Sequence, residues 1–375
     1  SLISLVMVGV TVLKLINPQF ILIWFFIGLG ISAFYFKKVT KLYQKADGSK
    51  SMIKQYHQLL EHIESENFEA SILNERCKSM ASGTHKATVL FAQFSSLLDA
   101  FDQRNNLFIA LLGNAFFLRD INLAFRIETW IAQHAHQLEN WFDVIAFFDA
   151  YNSLSTFVFN HPTYTFPSLD SNRGLDAIAL SHPLLKKEGR VSNDFLIKKE
   201  EFFIITGANM AGKSTFLRSV SLAILMANIG LPVCATSFRY SPIKLLTSMR
   251  TTDSLAQDES YFYAELKRLK FVVEALQTDQ YFVILDEILK GTNSEDKSKG
   301  SIKFVERLVR LNATGLIATH DLSLCTIEAE LAEVKNYYFD VDMKDNAHHF
   351  DYQLRPGVCK NMNATFLLKQ MKIVD

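Results

Sequence analysis

Residues 201–215 read EFFIITGANMAGKST. Five largely apolar residues, Glu201 to Ile205, have the composition of a buried strand, and Thr206 to Thr215 contain G-x-x-x-x-G-K-[ST]. The run from Phe216 to Asn228 then reads as a helix. An apolar strand, a glycine loop and a helix in that order are the setting this pattern needs to act as a phosphate cradle. Glycines let successive backbone N–H groups turn inward around phosphate oxygens. The helix N-terminus adds partial positive charge. Gly207, Ala208, Asn209, Met210, Ala211, Gly212, Lys213, Ser214 and Thr215 are therefore the expected nucleotide-binding residues. Lys213 is expected to reach the β- and γ-phosphates, and the Ser214 hydroxyl to bind Mg²⁺.

Two further strands fit the same design. Tyr281 to Leu285 is apolar and runs into Asp286-Glu287. In that position Asp286 is expected to hold the Mg²⁺ shell and Glu287 to orient or deprotonate the attacking water. Gly315 to Ala318 ends at Thr319-His320, which places His320 to sense a γ-phosphate. Strands alternating with helices imply an α/β domain with a mostly parallel sheet and its ligand at the strand C-termini. His348-His349 has no metal-ligand spacing and reads as a polar turn.

Upstream, residues 51–159 have helical periodicity. Ile53, Tyr56, Leu60 and Ile63 share one face, as do Leu90, Phe94, Leu97 and Phe101. Leu107–Leu118 is apolar but interrupted by Asn114 and too short to span a bilayer, so it reads as a core helix. A long helix is expected from about Ile121 to Phe159, its aromatic C-terminal part nearly encircled by other elements.

The first 36 residues carry a single charge, Lys14. Asn17-Pro18 breaks this block. Phe20 to Phe36 then runs without a charge and is followed by Lys37, Lys38 and Lys41, a cationic flank of the cytoplasmic type. A helical hairpin that spans or dips into the membrane is the favoured reading, ahead of a buried core hairpin or a secretory signal. Ser1 in place of a methionine implies that the chain starts inside a longer protein.

Composition narrows the classes. Lys+Arg and Asp+Glu are both 39, so formal net charge is zero, unlike a nucleic-acid coat or a polybasic surface protein. Hydrophobic residues make up 49%, which excludes a disordered chain. Cys77, Cys234, Cys325 and Cys359 are widely spaced with no C-x-x-C, as expected of reduced thiols rather than a disulfide or zinc framework.

The motifs together resemble the MutS family. The phosphate loop TGANMAGKST carries that family's Asn-Met pair. Asp286-Glu287 followed by Gly291-Thr292 and Asp296 is similar to its DE-x-x-x-GT-x-x-x-D block, and Ala318-Thr319-His320 to its switch histidine. Thr247 to Leu266 resembles the segment holding Asp253 and an S-x-F-x-x-E element at Ser260, Phe262 and Glu265. His182-Pro183 and Asn193-Asp194 are similar to its HP and PND elements, and the helix ending at Phe148-Asp149-Ala150 to the one joining core to ATPase. The resemblance covers roughly residues 140–370.

It implies an ABC-type P-loop ATPase using ATP and Mg²⁺ and working as a head-to-tail homodimer. Ser260 would complete the site of the other subunit in trans, with Glu287, Lys213 and His320 as the other catalytic residues. Asn209 would help hold the phosphates, and Asn293 and Asp296 would lie along the subunit interface. Arg190 stands where the family stacks an aromatic residue on adenine and is expected to stack through its guanidinium; Tyr352 is a second candidate near the base. The implied domains are a transmembrane helical hairpin at 1–45, a helical core-like lever domain at 46–165 and the ATPase domain at 166–375. The mismatch-reading and connector domains, full clamp arms and a C-terminal helix-turn-helix are expected to be missing. The favoured function is an ATPase anchored to the inner or plasma membrane with its catalytic domain in the cytoplasm, coupling ATP state to movement of the helices. The alternative is a mismatch-repair protein that binds duplex DNA, with reading domains outside this chain. A non-enzymatic scaffold clamped by ATP is disfavoured by Glu287.

Overall fold

The structure, a computed structural model, describes residues 2–13, 17, 19–80, 86–170, 174–249, 261–289, 291–344 and 347–360. It divides into two compact units, Ser1–Ser153 and Leu154–Asp375.

The first unit is helical. Its elements are α1 (Leu2–Val12), α2 (Gln19–Ser65), α3 (Ser71–Ser79), α4 (Ala87–Asp102), α5 (Leu107–Phe117) and the greater part of α6 (Arg119–Asn160). α1 ends at Val12 and α2 begins at Gln19, whose N–H donates to the Asn17 carboxamide oxygen at 3.0 Å. α2 then continues without interruption across residues 45 and 46 to Ser65, about 70 Å of helix at 1.5 Å per residue.

The unit's core gathers the faces that the periodicity marked out. Leu60 from α2, Leu90, Phe94, Leu97 and Phe101 from α4, and Ile127, Trp130, Trp141 and Phe148 from α6 are buried together. Phe94 stacks on Trp130 with ring centroids 4.2 Å apart, and Trp141 Nε1 donates to Met80 O at 3.0 Å, which removes the one polar cost of burying that indole. Two expectations change. α6 is not encircled near its end, because Phe142 and Tyr151 stay exposed while Trp141, Val144, Ile145 and Phe148 form a single buried face. α5 is not a core helix: of its eleven residues only Ala115 is buried, and Leu107 and Phe108 are each 76% exposed.

The second unit is mixed α/β. In chain order it contains β1 (Ser168–Leu169), β2 (Leu175–Leu180), β3 (Asn193–Ile197), β4 (Phe202–Gly207), α7 (Lys213–Asn228), β5 (Ser237–Tyr240), β6 (Lys244–Met249), α8 (Tyr261–Leu276), β7 (Tyr281–Asp286), α9 (Ser294–Arg310), β8 (Thr314–Ala318), a 3₁₀ segment at Leu322–Ala329, β9 (Val334–Phe339), β10 (Asp342–Lys344), β11 (Ala347–His349) and β12 (Leu354–Pro356). His348-His349 therefore lies on the second strand of a small hairpin, β10–β11, rather than in a turn.

The main sheet has the order β12-β9-β4-β8-β7-β6. All its neighbours run parallel except β12, which is antiparallel to β9. β4 is buried at every residue because both faces of the sheet are covered. Phe203 and Ile205 pack with α7 and the four-stranded sheet β1-β5-β2-β3. Phe202 and Ile204 pack on the opposite face with α8, α9 and the 3₁₀ segment. This double coverage fixes the strand C-termini as one rigid edge.

Candidate functional site

The register of the parallel strands assembles the site. Ile205 of β4 stands beside Ala318 of β8, which stands beside Asp286 of β7. The residues just beyond this row, Gly207, Glu287 and His320, therefore emerge together at one edge. They open into a cleft of about 780 Å³ lined by Asn209, Met210, Gly212, Lys213, Ser214, Thr215, Asp286, Glu287, His320 and Tyr352, with His182, Gly189, Val191 and Asn193 along its other wall. The volume lies within the usual range for a cofactor-sized ligand. Another cleft, of about 250 Å³, contains none of these groups and lies by the opposite strand ends, near Lys199, Asp279 and Thr314.

Two glycines in the loop are required by the backbone. Gly207 has φ of 144°, and a Cβ there would lie 2.6 Å from the Phe339 carbonyl oxygen. Gly212 has φ of 110° and caps α7 in a left-handed conformation, with the Tyr352 ring against its open side. α7 thus begins at Lys213 in the cleft wall, and the first N–H groups of a helix have no partner within it, as an anion site needs.

Lys213 is 5% exposed, and its Nζ donates to Gly207 O at 2.8 Å and Ala208 O at 2.9 Å. Burial pushes its pKa down to about 8, against the opposing pull of the Glu287 and Asp286 carboxylates. His320 Nε2 lies 2.7 Å from Glu287 Oε1 and 3.2 Å from Lys213 Nζ. One ring nitrogen cannot serve both. With its proton on Nε2, His320 donates to Glu287, the nearer of the two.

Glu287 has a left-handed backbone, φ of 53°, unusual for a side chain and typical of a constrained functional position. Its N–H donates to Ala318 O at 2.9 Å, which ties it to β8. Leu289, also left-handed at φ of 58°, donates its N–H to Glu265 Oε1 at 2.8 Å. Glu265 is a buried carboxylate on α8, so the turn after Asp286 is fastened from two sides.

Asp286 and Ser214 supply a carboxylate and a hydroxyl to the same cleft, and such hard oxygen donors suit Mg²⁺ completed by phosphate and water. Among the described residues no three His, Cys, Asp or Glu side chains come together as a metal cage.

Other expected residues fall differently. Arg190 is not among the cleft-lining residues; its Nη1 lies 3.4 Å from the Tyr164 hydroxyl and its guanidinium sits 6.0 Å from that ring's centre. Tyr352 does line the cleft. Asn293 and Asp296 pair as the N-cap of α9, with Asp296 N donating to Asn293 Oδ1 at 2.9 Å. Ser260 and Asp253 lie outside the described residues.

Sequence reading assigned no site role to Asn193. Its amide donates to Tyr352 O at 3.0 Å and accepts from Leu354 N at 2.7 Å, which holds the Tyr352 segment to the cleft wall. The signal was present: in β3, Asn193, Phe195 and Ile197 point inward, and an amide at an inward strand position needs buried partners.

The sequence is also similar to known proteins. Residues 203–369 match the family model described as MutS domain V. "MutS protein homolog 4" of Homo sapiens is 30% identical over 254 residues, covering 62% of this chain and 26% of that protein. "DNA mismatch repair protein MutS" of Clostridioides difficile is 30% identical over 257 residues, covering 66% of this chain and 27% of that protein. "DNA mismatch repair protein MSH4" of Arabidopsis thaliana is 31% identical over 215 residues, covering 56% and 27%. Over residues 203–369 the chain is similar to domain V of the MutS family. It spans about a quarter of the length of these relatives.

Proposed function

We propose that this protein is a membrane-anchored, MutS-like ATPase whose second unit is an ABC-type P-loop domain. The observation that carries the reading is the convergence of Lys213, Ser214, Asp286, Glu287 and His320 on one cleft at the C-terminal edge of a parallel sheet. The loop N–H groups and Lys213 receive the phosphates of ATP. Ser214 and Asp286 hold Mg²⁺, which when bound neutralises phosphate charge as it develops. Glu287 accepts a proton from the attacking water, and His320 sets the orientation of that carboxylate through Nε2. Tyr352 is placed against the base end of the nucleotide. Arg190 would have to leave Tyr164 to stack there.

The working unit in this reading is a head-to-tail homodimer in which Ser260 reaches the γ-phosphate of the opposite subunit. Helices of the first unit carry the closing movement, and Gln19–Ala46, long and apolar enough to cross a bilayer, anchors the protein with the ATPase in the cytoplasm. The test is Glu287→Gln. That variant is expected to keep Mg-ATP binding and to lose turnover by about two to four orders of magnitude, the usual contribution of a general base. Unchanged phosphate release would overturn the assignment.

A second reading, a mismatch-repair protein acting on duplex DNA, is favoured by the names of the relatives. Duplex affinity that falls steeply and linearly with log salt would support it, and no binding at low salt would reject it.

A further inference from the structure

α5 inverts the rule for a water-soluble bundle. Residues 105–118 contain no charge, and the helix turns Leu107, Phe108, Leu111 and Leu112 outward. Polar groups face inward instead. Ser4 Oγ donates to Phe116 O, and Trp24 Nε1 donates to Ser4 Oγ at 3.0 Å. Ser32 Oγ reaches Asn114 O at 3.5 Å. α5 crosses α2 where a Cβ on Gly28 would overlap the Ala115 backbone, a small-residue approach of the kind that packs helices in lipid. The exposed side chains on the same stretch of α2 (Leu22, Ile23, Phe26, Ile27) are equally apolar.

The ends of α5 are closed by the chain itself. Asn106 Oδ1 accepts from Phe108 N at 3.1 Å and from Ile109 N at 3.4 Å. At the other end the left-handed Leu118 donates its N–H to Asn114 O, and Asn122 Nδ2 donates to Phe117 O at 2.8 Å. Caps of this kind also close helices in water, as Asn293 does on α9. In hydrocarbon an unpaired backbone group costs several kcal/mol, and only a capped helix is tolerated.

Charge marks the depth. Arg104, just before α5, lies 5.8 Å from the centre of the Phe36 ring, next to exposed Lys37, Lys38 and Lys41. Arg104 is itself half-enclosed and paired with Asp120 at 3.4 Å, so it is the exposed lysines of α2, at the level of the α5 entry, that stand where lysine meets lipid headgroups. Eleven residues give α5 about 16 Å, half of a bilayer's ~30 Å hydrocarbon core.

We propose that α5 is a re-entrant helix that inserts into the leaflet on the lysine side of α2, so that α1, the first half of α2 and α5 form one lipid-embedded cluster. This rests on the reading of α2 as the anchor. The test is a nitroxide on single cysteines at Ile27, Phe108 and Leu112 in a Cys77→Ser background, the other three cysteines being buried. The full chain is placed in phosphatidylcholine–phosphatidylglycerol vesicles, and collision rates with O₂ and with a soluble nickel chelate are compared. All three positions are expected to collide several-fold faster with O₂. Nickel-dominated collisions at both Phe108 and Leu112 with a lipid signal at Ile27 would overturn the insertion of α5 and leave the anchor standing. Nickel-dominated collisions at Ile27 would overturn the anchor itself. Slow collisions with both reagents at Phe108 and Leu112 would mean that protein, such as a second copy, covers α5, and would also overturn the proposal.

Discussion

Lys213 sets what pH does to the site. Loss of water around its buried ammonium pushes its pKa from the ordinary 10.5 down to about 8, against the pull of the Glu287 and Asp286 carboxylates. The folded protein thus gives up this proton before the unfolded chain does. Between about pH 8 and 10.5 folding stability should gain from this group; below pH 8 the burial penalty is fully present. Phosphates placed against Nζ restore the charged form. ATP binding at pH 8 is therefore expected to take up about half a proton per site, read from the dependence of calorimetric heat on buffer ionisation enthalpy. Lys213→Met should abolish that uptake. Uptake that is absent in the native protein, or unchanged in the variant, would reject this account of Lys213.

At the scale of elements, the cleft depends on how β3 holds the segment before β12. Asn193 bridges Tyr352 O and Leu354 N from an almost fully buried position. Alanine there leaves both backbone groups without their partner. Asn193→Ala is expected to cost about 1–3 kcal/mol in urea unfolding and to weaken ATP binding through the loosened Tyr352, with turnover of bound ATP less affected. A KM unchanged alongside full stability would mean that Tyr352 is held by something else. This element also marks the limit of sequence reading. The phosphate loop and Asp286-Glu287 were legible because their function needs fixed local spacing. The two contacts of Asn193 were not, since they join residues 159 and 161 positions away in the chain. α5 failed for a different reason. Apolar composition and shortness describe a core helix and a half-bilayer helix equally well, and only its outward-facing side chains separate the two.

At the scale of the whole molecule, the dimer reading makes a quantitative demand. Each proposed site takes its phosphate loop from one subunit and Ser260 from the other. Lys213→Ala and Ser260→Ala should each be inactive alone. In a mixed dimer one site collects both defects, and the other receives native Lys213 and native Ser260. Equal amounts exchanged to equilibrium give about half mixed dimers with one good site of two, hence about a quarter of native activity. A site complete within one chain predicts instead that Ser260→Ala stays active or that mixing restores nothing. Partial rescue that grows with subunit exchange is specific to shared sites, because two dead variants cannot otherwise regenerate turnover. The measurement needs no knowledge of the mechanical target, so it tests the assembly independently of whether DNA or the membrane is what the protein acts upon.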